Sequence, residues 1–233
     1  MSLPLFFSDN ISSTVLNEET SRHILQVLRM QEGELLRLTD GKGNIAEAEI
    51  VSSNKKHCSV RIVREEFVEH RRPHVTIAIS LVKNASRFEW FVEKATELGV
   101  SAITPLICER TERQKFRHDR FLNICKSAML QSMQVWMPEL HDPTHFKDLV
   151  STASQTQRFI AHCAEGERRE LKNCFDAGAP SYIILIGPEG DFTPAEISLA
   201  IQNNFDAVAL GPTRLRTETA GVYASVVMTG NLV

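Results

Sequence analysis

The sequence predicts an α/β protein in two parts, a β-rich N-terminal region followed by a mainly parallel sheet covered by helices. Three observations carry that expectation. Up to about residue 70, short segments alternate apolar and polar residues, the period of strands with one wet face. After Arg71-Arg72-Pro73 the strand candidates become continuous apolar runs, as in strands buried on both faces. Those runs alternate with amphipathic helices, the arrangement of βα units.

In the first part a short helical stretch covers Glu18 to Leu28. Alternation at Leu36-Arg37-Leu38 and at Ala46-Glu47-Ala48-Glu49-Ile50-Val51 predicts two strands, and Asp40-Gly41-Lys42-Gly43-Asn44 between them is a hairpin turn signal. Gly-Lys-Gly reads as that turn, since a phosphate loop needs G-x-x-x-x-G-K-[ST]. Cys58 to Val63 is a further strand. In the second part strands are expected at Val75 to Val82, Ile103 to Ile107, Arg158 to Cys163, Tyr182 to Ile186 and Ala207 to Leu210. Phe88, Phe91, Val92, Ala95 and Leu98 recur at helical spacing, with Gly99 as the stop. A helix from about Asp119 to Gln134 puts Phe121, Ile124, Cys125, Ala128 and Ser132 on one face. Thr193-Pro194-Ala195-Glu196 supplies an N-cap, a proline in the first turn and a capping-box glutamate. That makes Gly187 to Phe192 a tight loop. The last helix, about Thr217 to Thr229, is rich in Ala, Val and Met and should be buried.

Composition limits the function classes. The chain has 233 residues, 42% hydrophobic and 24% charged, with net charge -3, enough apolar content for a core and too little charge for a disordered chain. No apolar run reaches the ~18 residues of a membrane span, and the first residues lack the pattern of a signal peptide. Five cysteines without a C-x-x-C pair fit buried free thiols in a reducing cytosol better than disulfides or a zinc knuckle. Eight histidines show neither H-E-x-x-H nor clustered spacing, so no metal site is expected. G-x-G-x-x-G and G-x-S-x-G are both absent, which argues against a dinucleotide fold and a serine nucleophile.

Two strands end in the same dipeptide, Ile186-Gly187-Pro188 and Leu210-Gly211-Pro212. In open α/β sheets ligands bind beyond the carboxyl ends of the strands, and glycine there admits a ligand close to the backbone. Two such loops suit an adenine or a ribose; either one alone reads equally as an ordinary turn. Positive charge is clustered locally at Arg110, Arg113, Lys115, Arg117 and Arg120, and Arg214 and Arg216 lie in the second glycine loop. Such clusters grip phosphates or simply face solvent.

The segment Leu210-Gly211-Pro212-Thr213-Arg214-Leu215-Arg216-Thr217-Glu218-Thr219-Ala220, with Ile186-Gly187-Pro188-Glu189-Gly190, resembles the bacterial 16S ribosomal RNA (uracil-N3)-methyltransferase family of the SPOUT superfamily. Glu93 to Val100 with Ile103-x-Pro105-Leu106, and His23 to Arg29 followed by Asp40-Gly41-Lys42-Gly43, agree in the same order along the chain. The resemblance implies a PUA-like RNA-binding β-barrel domain over 1–72 and a SPOUT methyltransferase domain with a deep trefoil knot over 73–233. It also implies a cytoplasmic homodimer that binds S-adenosylmethionine and methylates N3 of one uridine in the 16S RNA of the small ribosomal subunit. Two positions depart from the family pattern: Leu130-Gln131-Ser132-Met133-Gln134 lacks a charge pair, and Asp191 stands where a second glycine is common.

On that resemblance the cofactor contacts are expected at Ile186, Gly187, Gly190, Leu210, Gly211 and Leu215, with His162 near a third loop. Methyl transfer to N3 needs near-attack geometry and a group that stabilises the developing uracil anion. A guanidinium does this well, because it stays charged and offers a planar fork of donors. Arg216 is the expected catalytic residue, with Glu218 orienting it or relaying the proton; the alternative is that the two form a structural ion pair. Arg214 is expected near a phosphate, and His23, Arg29, Arg87, Arg110 and the other arginines up to Arg120 near RNA. Three rival readings stay open: a SPOUT enzyme with another RNA target, a non-catalytic RNA-binding adaptor, and a nucleotide-dependent α/β enzyme.

Overall fold

The alternating segments of the N-terminal region pair into one sheet. In the computed structural model, which describes residues 3–53, 57–112, 115–164, 168–174, 176 and 178–230, β1 (Leu5–Phe7) lies parallel to β2 (Leu35–Thr39). β2 turns back into the antiparallel β3 (Asn44–Ser53), which pairs antiparallel with β4 (Cys58–Phe67). The turn is the expected hairpin. Gly41 and Gly43 take φ of +72° and +89°, and Asp40 Oδ1 accepts the Lys42 N–H at 2.8 Å. Leu36, Leu38, Ala46, Ala48 and Ile50 form the buried face with Ile24. Ile24 comes from a π-helical turn, His23–Val27, that continues α1 (Glu18–Arg22). Asn17 Oδ1 caps α1 by accepting the Thr20 N–H at 2.8 Å.

The chain divides into two compact units, and the first takes in Met129–Met137 as well as Met1–His70. Within it Trp136 Nε1 donates to the Val68 carbonyl at 2.8 Å, and the Gly43 N–H donates to the Val135 carbonyl at 2.9 Å. Sequence distance hid this join, because its bonds come from an irregular segment without a period.

The second unit is a sheet whose strand pairs all run parallel. Its members are β5 (His74–Ser80), β6 (Ala102–Ile107), β7 (Glu139–Leu140), β8 (Thr144–His145), β9 (Gln157–Ala161), β10 (Arg169–Glu170), β11 (Ser181–Ile186) and β12 (Asp206–Ala209). The order is β10-β12-β9-β11-β5-β6-β7, with β8 also pairing β6. β5 and β11 are buried almost along their whole length, which is why they read as unbroken apolar runs.

The helices are α2 (Ala85–Glu97), α3 (His118–Gln131), α4 (Phe146–Thr152), α5 (Pro194–Gln202) and α6 (Thr217–Thr229). α2 starts at Asn84, whose Oδ1 accepts the Ser86 N–H at 3.0 Å, and stops before Gly99 at φ +78°. It buries Phe88, Phe91, Val92 and Ala95 as the spacing requires. α5 has the expected capping box: Thr193 Oγ1 accepts the Glu196 N–H, and Glu196 Oε2 accepts the Thr193 N–H at 2.8 Å. α3 ends three residues before the expected Gln134, because Met133 takes φ +57° and breaks the helix. β1, α4 and β10 were not expected; at three, seven and two residues they offer at most about two helical turns of pattern. Among the described residues no helix is long and apolar enough to cross a membrane.

Candidate active site

β12, β9 and β11 are neighbours and parallel, so the loops after them emerge side by side. Side chains join these loops. Thr217 Oγ1, from the first residue of α6, donates to the Gly187 carbonyl at 3.0 Å. Asp191 Oδ2 accepts the Cys163 N–H at 2.8 Å while its Oδ1 accepts the Phe192 N–H at 2.8 Å. Asp191 takes φ +62°, so it fills the left-handed position a glycine would take and adds a cross-loop tie that glycine lacks. Between the loops lies a cavity of about 560 Å³, within the range of small-molecule sites.

Six of the seven expected cofactor residues line this cavity: His162, Ile186, Gly187, Leu210, Gly211 and Leu215. Gly190 does not. It borders an adjoining cavity, and its carbonyl accepts Arg110 Nη1 at 2.6 Å. The walls fit an adenosyl ligand. Ile186 gives an apolar side, joined by the half-buried Leu210 and Leu215. Gly211 has φ +122°, and a Cβ built there would meet nothing within 4 Å, so its backbone is open to a ligand. His162 Nδ1 is buried without a hydrogen-bond partner among the described residues, a group that a ligand would satisfy. Burial holds the His162 pKa below its ordinary value, the Arg168 charge adds to the lowering, and Asp191 opposes it. A neutral imidazole results, able to accept or donate one bond.

Arg216 is the exposed N-cap residue of α6, lines the cavity, and has no ion-pair partner among the described residues. Glu218 is buried, and its carboxylate faces Arg87, with Nε 3.6 Å from Oε1. The expected Arg216–Glu218 pair is therefore replaced by Arg87–Glu218. Residues two apart at a helix start do not face each other, and Glu218 turns toward the start of α2 instead. Arg87, expected near RNA, compensates a buried carboxylate.

The basic run is also less free than its composition suggests. Arg120 makes a two-pronged pair with Glu89 at 2.6 and 2.8 Å, Arg110 holds the Gly190 carbonyl, and Arg113 lies outside the described residues. Arg214 is exposed and borders both cavities. His23 and Arg29 are exposed in the first unit, His23 edge-on to Phe6 and Arg29 at φ +56°.

Three residues of the site went unread in the sequence. Arg168 lines the cavity and donates from Nη1 to the His162 carbonyl. Cys163 also lines it and is exposed, whereas Cys58, Cys108, Cys125 and Cys174 are buried. Thr217 ties the two glycine-proline loops. None carries a spacing signal; Thr217 stands in the L-G-P-x-x-L-R-T-E-T-A segment, which gave it no role of its own. Among the described residues no group of His, Cys, Asp or Glu is placed to hold a metal ion.

A family model described as an RNA methyltransferase domain matches residues 69–229, and one described as an RNA methyltransferase PUA domain matches residues 16–63. The curated Ribosomal RNA small subunit methyltransferase E of Synechocystis is 32% identical over 221 residues, covering 92% of this chain and 72% of its own length. The crystal structure of a probable rRNA-methyltransferase from Porphyromonas gingivalis matches with a TM-score of 0.92 and 35% identity, over 99% of this chain and 100% of that one. A Ribosomal RNA small subunit methyltransferase E from Neisseria gonorrhoeae, solved bound to S-adenosyl methionine, matches with a TM-score of 0.87 and 27% identity, over 99% and 98%.

Proposed function

The chain belongs to the family of the ribosomal RNA small subunit methyltransferases E, and on that premise we propose that it methylates N3 of one uridine in 16S ribosomal RNA with S-adenosylmethionine. The observation that carries this reading is Arg216: an exposed guanidinium without a counter-ion among the described residues, in the wall of the cavity that the glycine-proline loops enclose.

S-adenosylmethionine supplies a methyl group made electrophilic by the positive sulfur that carries it. The protein's part is to hold, align and compensate charge. Ile186, Leu210 and Leu215 would hold the apolar part of the ligand, the open backbone at Gly211 would let it come close beside Gly187, and His162 Nδ1 would meet a polar atom of it. Uracil N3–H is a weak acid, and the negative charge that develops over O2, N3 and O4 needs a fixed positive partner. Arg216 provides one with two parallel donors. The N3 proton leaves to water at the open side where Arg216 stands. Glu218 acts as a positioning residue: paired with Arg87, it fixes the first turn of α6, from whose N-cap Arg216 projects.

The first unit, with His23 and Arg29, is assigned to gripping the RNA, and Arg214 to a backbone phosphate. On the domain division 1–72 and 73–233, the two parts bind RNA and transfer the methyl group. The enzyme is proposed to work in the cytoplasm as a homodimer on the small subunit. Exposed Trp90 on α2 and Val226 on α6 are large apolar side chains that a protein contact would cover, which supports the dimer reading. The test is to incubate the protein with methyl-labelled S-adenosylmethionine and small subunits lacking the modification, then map the label. A single N3-methyluridine in 16S RNA is expected. Label on a ribose or on transfer RNA, or cofactor binding without any transfer, overturns the reading.

A further inference from the structure

A second cavity, of about 580 Å³, adjoins the first and shares His162, Cys163, Arg168, Asp191 and Arg214 with it. It extends over α5, and its chemistry differs from that of the cofactor cavity. The apolar part of its wall comes from Pro194, Ile197 and Ile201 of α5 with Phe192 beneath. Ile201 is 52% exposed on the same helix that buries Ala200 in the core, and unlike Phe192 and Ile197 it is not part of the core packing.

The charged part of the wall is positive. Among the described residues Arg110, Arg168 and Arg214 surround it, against one carboxylate, Asp191. That carboxylate is already occupied, since each of its oxygens accepts a backbone N–H. An apolar floor under a rim of guanidinium groups complements a nucleotide, with the base on the floor and the phosphate on the rim. Because Arg214 and Arg168 belong to both cavities, a strand that presents its uridine at Arg216 carries the next nucleotide to this wall.

We infer that the cavity over α5 is a subsite for the nucleotide flanking the methylated uridine, and that it contributes to the choice of RNA. The inference rests on the methyltransferase reading above. Side chains at Ser198 and Ile201 test it, because both are exposed on α5, border the cavity and lie away from the cofactor walls. Steady-state methylation of isolated small subunits is measured for the wild type, Ser198→Glu, Ile201→Glu and Ile201→Lys, with the dissociation constant for S-adenosylmethionine measured separately. A carboxylate on this wall puts a negative charge into the cavity that the nucleotide and its phosphate enter, and should raise KM for the subunit by about tenfold or more, leaving cofactor affinity and kcat at saturating subunit near the wild-type values. Ile201→Lys, of similar length and opposite charge, should keep or lower KM. For Arg214→Gln, the slope of log affinity for a single-stranded fragment against log salt should shrink by about 0.7. The inference falls if both Glu variants keep the wild-type KM, or if Ile201→Lys is impaired as much as Ile201→Glu. If the wild type methylates no ribosomal RNA, the broader reading fails and this one with it.

Discussion

Replacing Gly221 with alanine tests how tightly α6, the helix that begins beside the cavity, is seated. In an ordinary mid-helix position the change would stabilise, since alanine is favoured over glycine by about 1 kcal/mol. Here a Cβ would lie 2.6 Å from Phe91 Cε2 and 2.7 Å from Ile79 Cδ1, well inside ordinary contact. Neither neighbour can yield cheaply. Phe91 and Ile79 are both 0% exposed, one on α2 and the other on β5, so relief requires α6 to move outward. Overpacking of this kind costs about 1–3 kcal/mol, and two simultaneous clashes against immobile groups put it at the upper end. The net expectation is a loss of about 2 kcal/mol after the propensity gain. For a chain of this size that lowers Tm by about 4–8 °C. Urea unfolding and calorimetry measure it. Gly230→Ala is the control, because nothing lies within 4 Å of its added Cβ and its φ is −71°; it should stay within about 0.5 kcal/mol. Cofactor affinity should weaken in Gly221→Ala too, because Thr217 rides on the same helix and holds the Gly187 carbonyl. A Gly221→Ala protein as stable as the wild type, or more stable, would refute the packing argument.

Arg216→Ala should reduce kcat by about 10²–10³, the usual effect of removing a donor aimed at developing charge, while S-adenosylmethionine affinity changes less than about twofold; Arg216→Lys should recover part of the loss. Unchanged turnover in Arg216→Ala removes it from the mechanism. The pH dependence of stability should carry the mark of His162. Its pKa is lowered in the folded protein, so the folded state binds fewer protons than the unfolded state as pH falls past the ordinary histidine value near 6.5. Stability from this group is complete above that pH and declines below it, toward the lowered folded value. Comparing unfolding free energies of wild type and His162→Asn between about pH 5 and 7.5 isolates the slope, and equal slopes would discard the assignment. Cys163 should react first with a thiol reagent, and saturating S-adenosylmethionine should slow it, because Cys163 alone among the five is exposed and it lines the cavity. Cys108 and Cys125 should stay silent in the native protein, with burial pushing their thiols up to about 12 and about 11. Reaction at Cys108 before Cys163, or no protection by the cofactor, would contradict the geometry.

Elements long enough to repeat a pattern could be read from the chain. α5 begins where its capping box places it, α6 covers the expected Ala-, Val- and Met-rich stretch, and β5 and β11 announce double burial by unbroken apolar runs. The position of the cavity was legible for a related reason: two apolar strands ending in Gly-Pro had to place their loops at one edge of a parallel sheet. What could not be read was pairing between segments far apart in the chain. Glu218 had a conspicuous arginine two residues away, yet its partner is Arg87, 131 positions earlier on another helix. The reason is directional. Arg216 is extended at the N-cap while Glu218 is already helical, so the two side chains leave the backbone on different sides. A one-dimensional count of basic residues failed in the same way between 110 and 120, where Arg120 is held by Glu89 and Arg110 by a carbonyl.

The same distinction explains how the site holds its shape. Parallel strands fix where the three loops start but not how far apart their tips stand, because the ladder ends where the loops begin. The remaining spacing is set by side chains that reach across: Thr217 to Gly187, Asp191 to Cys163, Arg110 to Gly190. Asp191 illustrates why a departure from a glycine can keep the site intact. It accepts the positive φ that the turn demands, at a cost of about 1–2 kcal/mol for an L-residue, and two charge-assisted bonds from backbone N–H groups, worth about 1.5–3 kcal/mol each, offset that cost. A glycine would relieve the strain and lose both bonds, leaving the third loop tied by Arg168 to its own strand end but no longer to its neighbour.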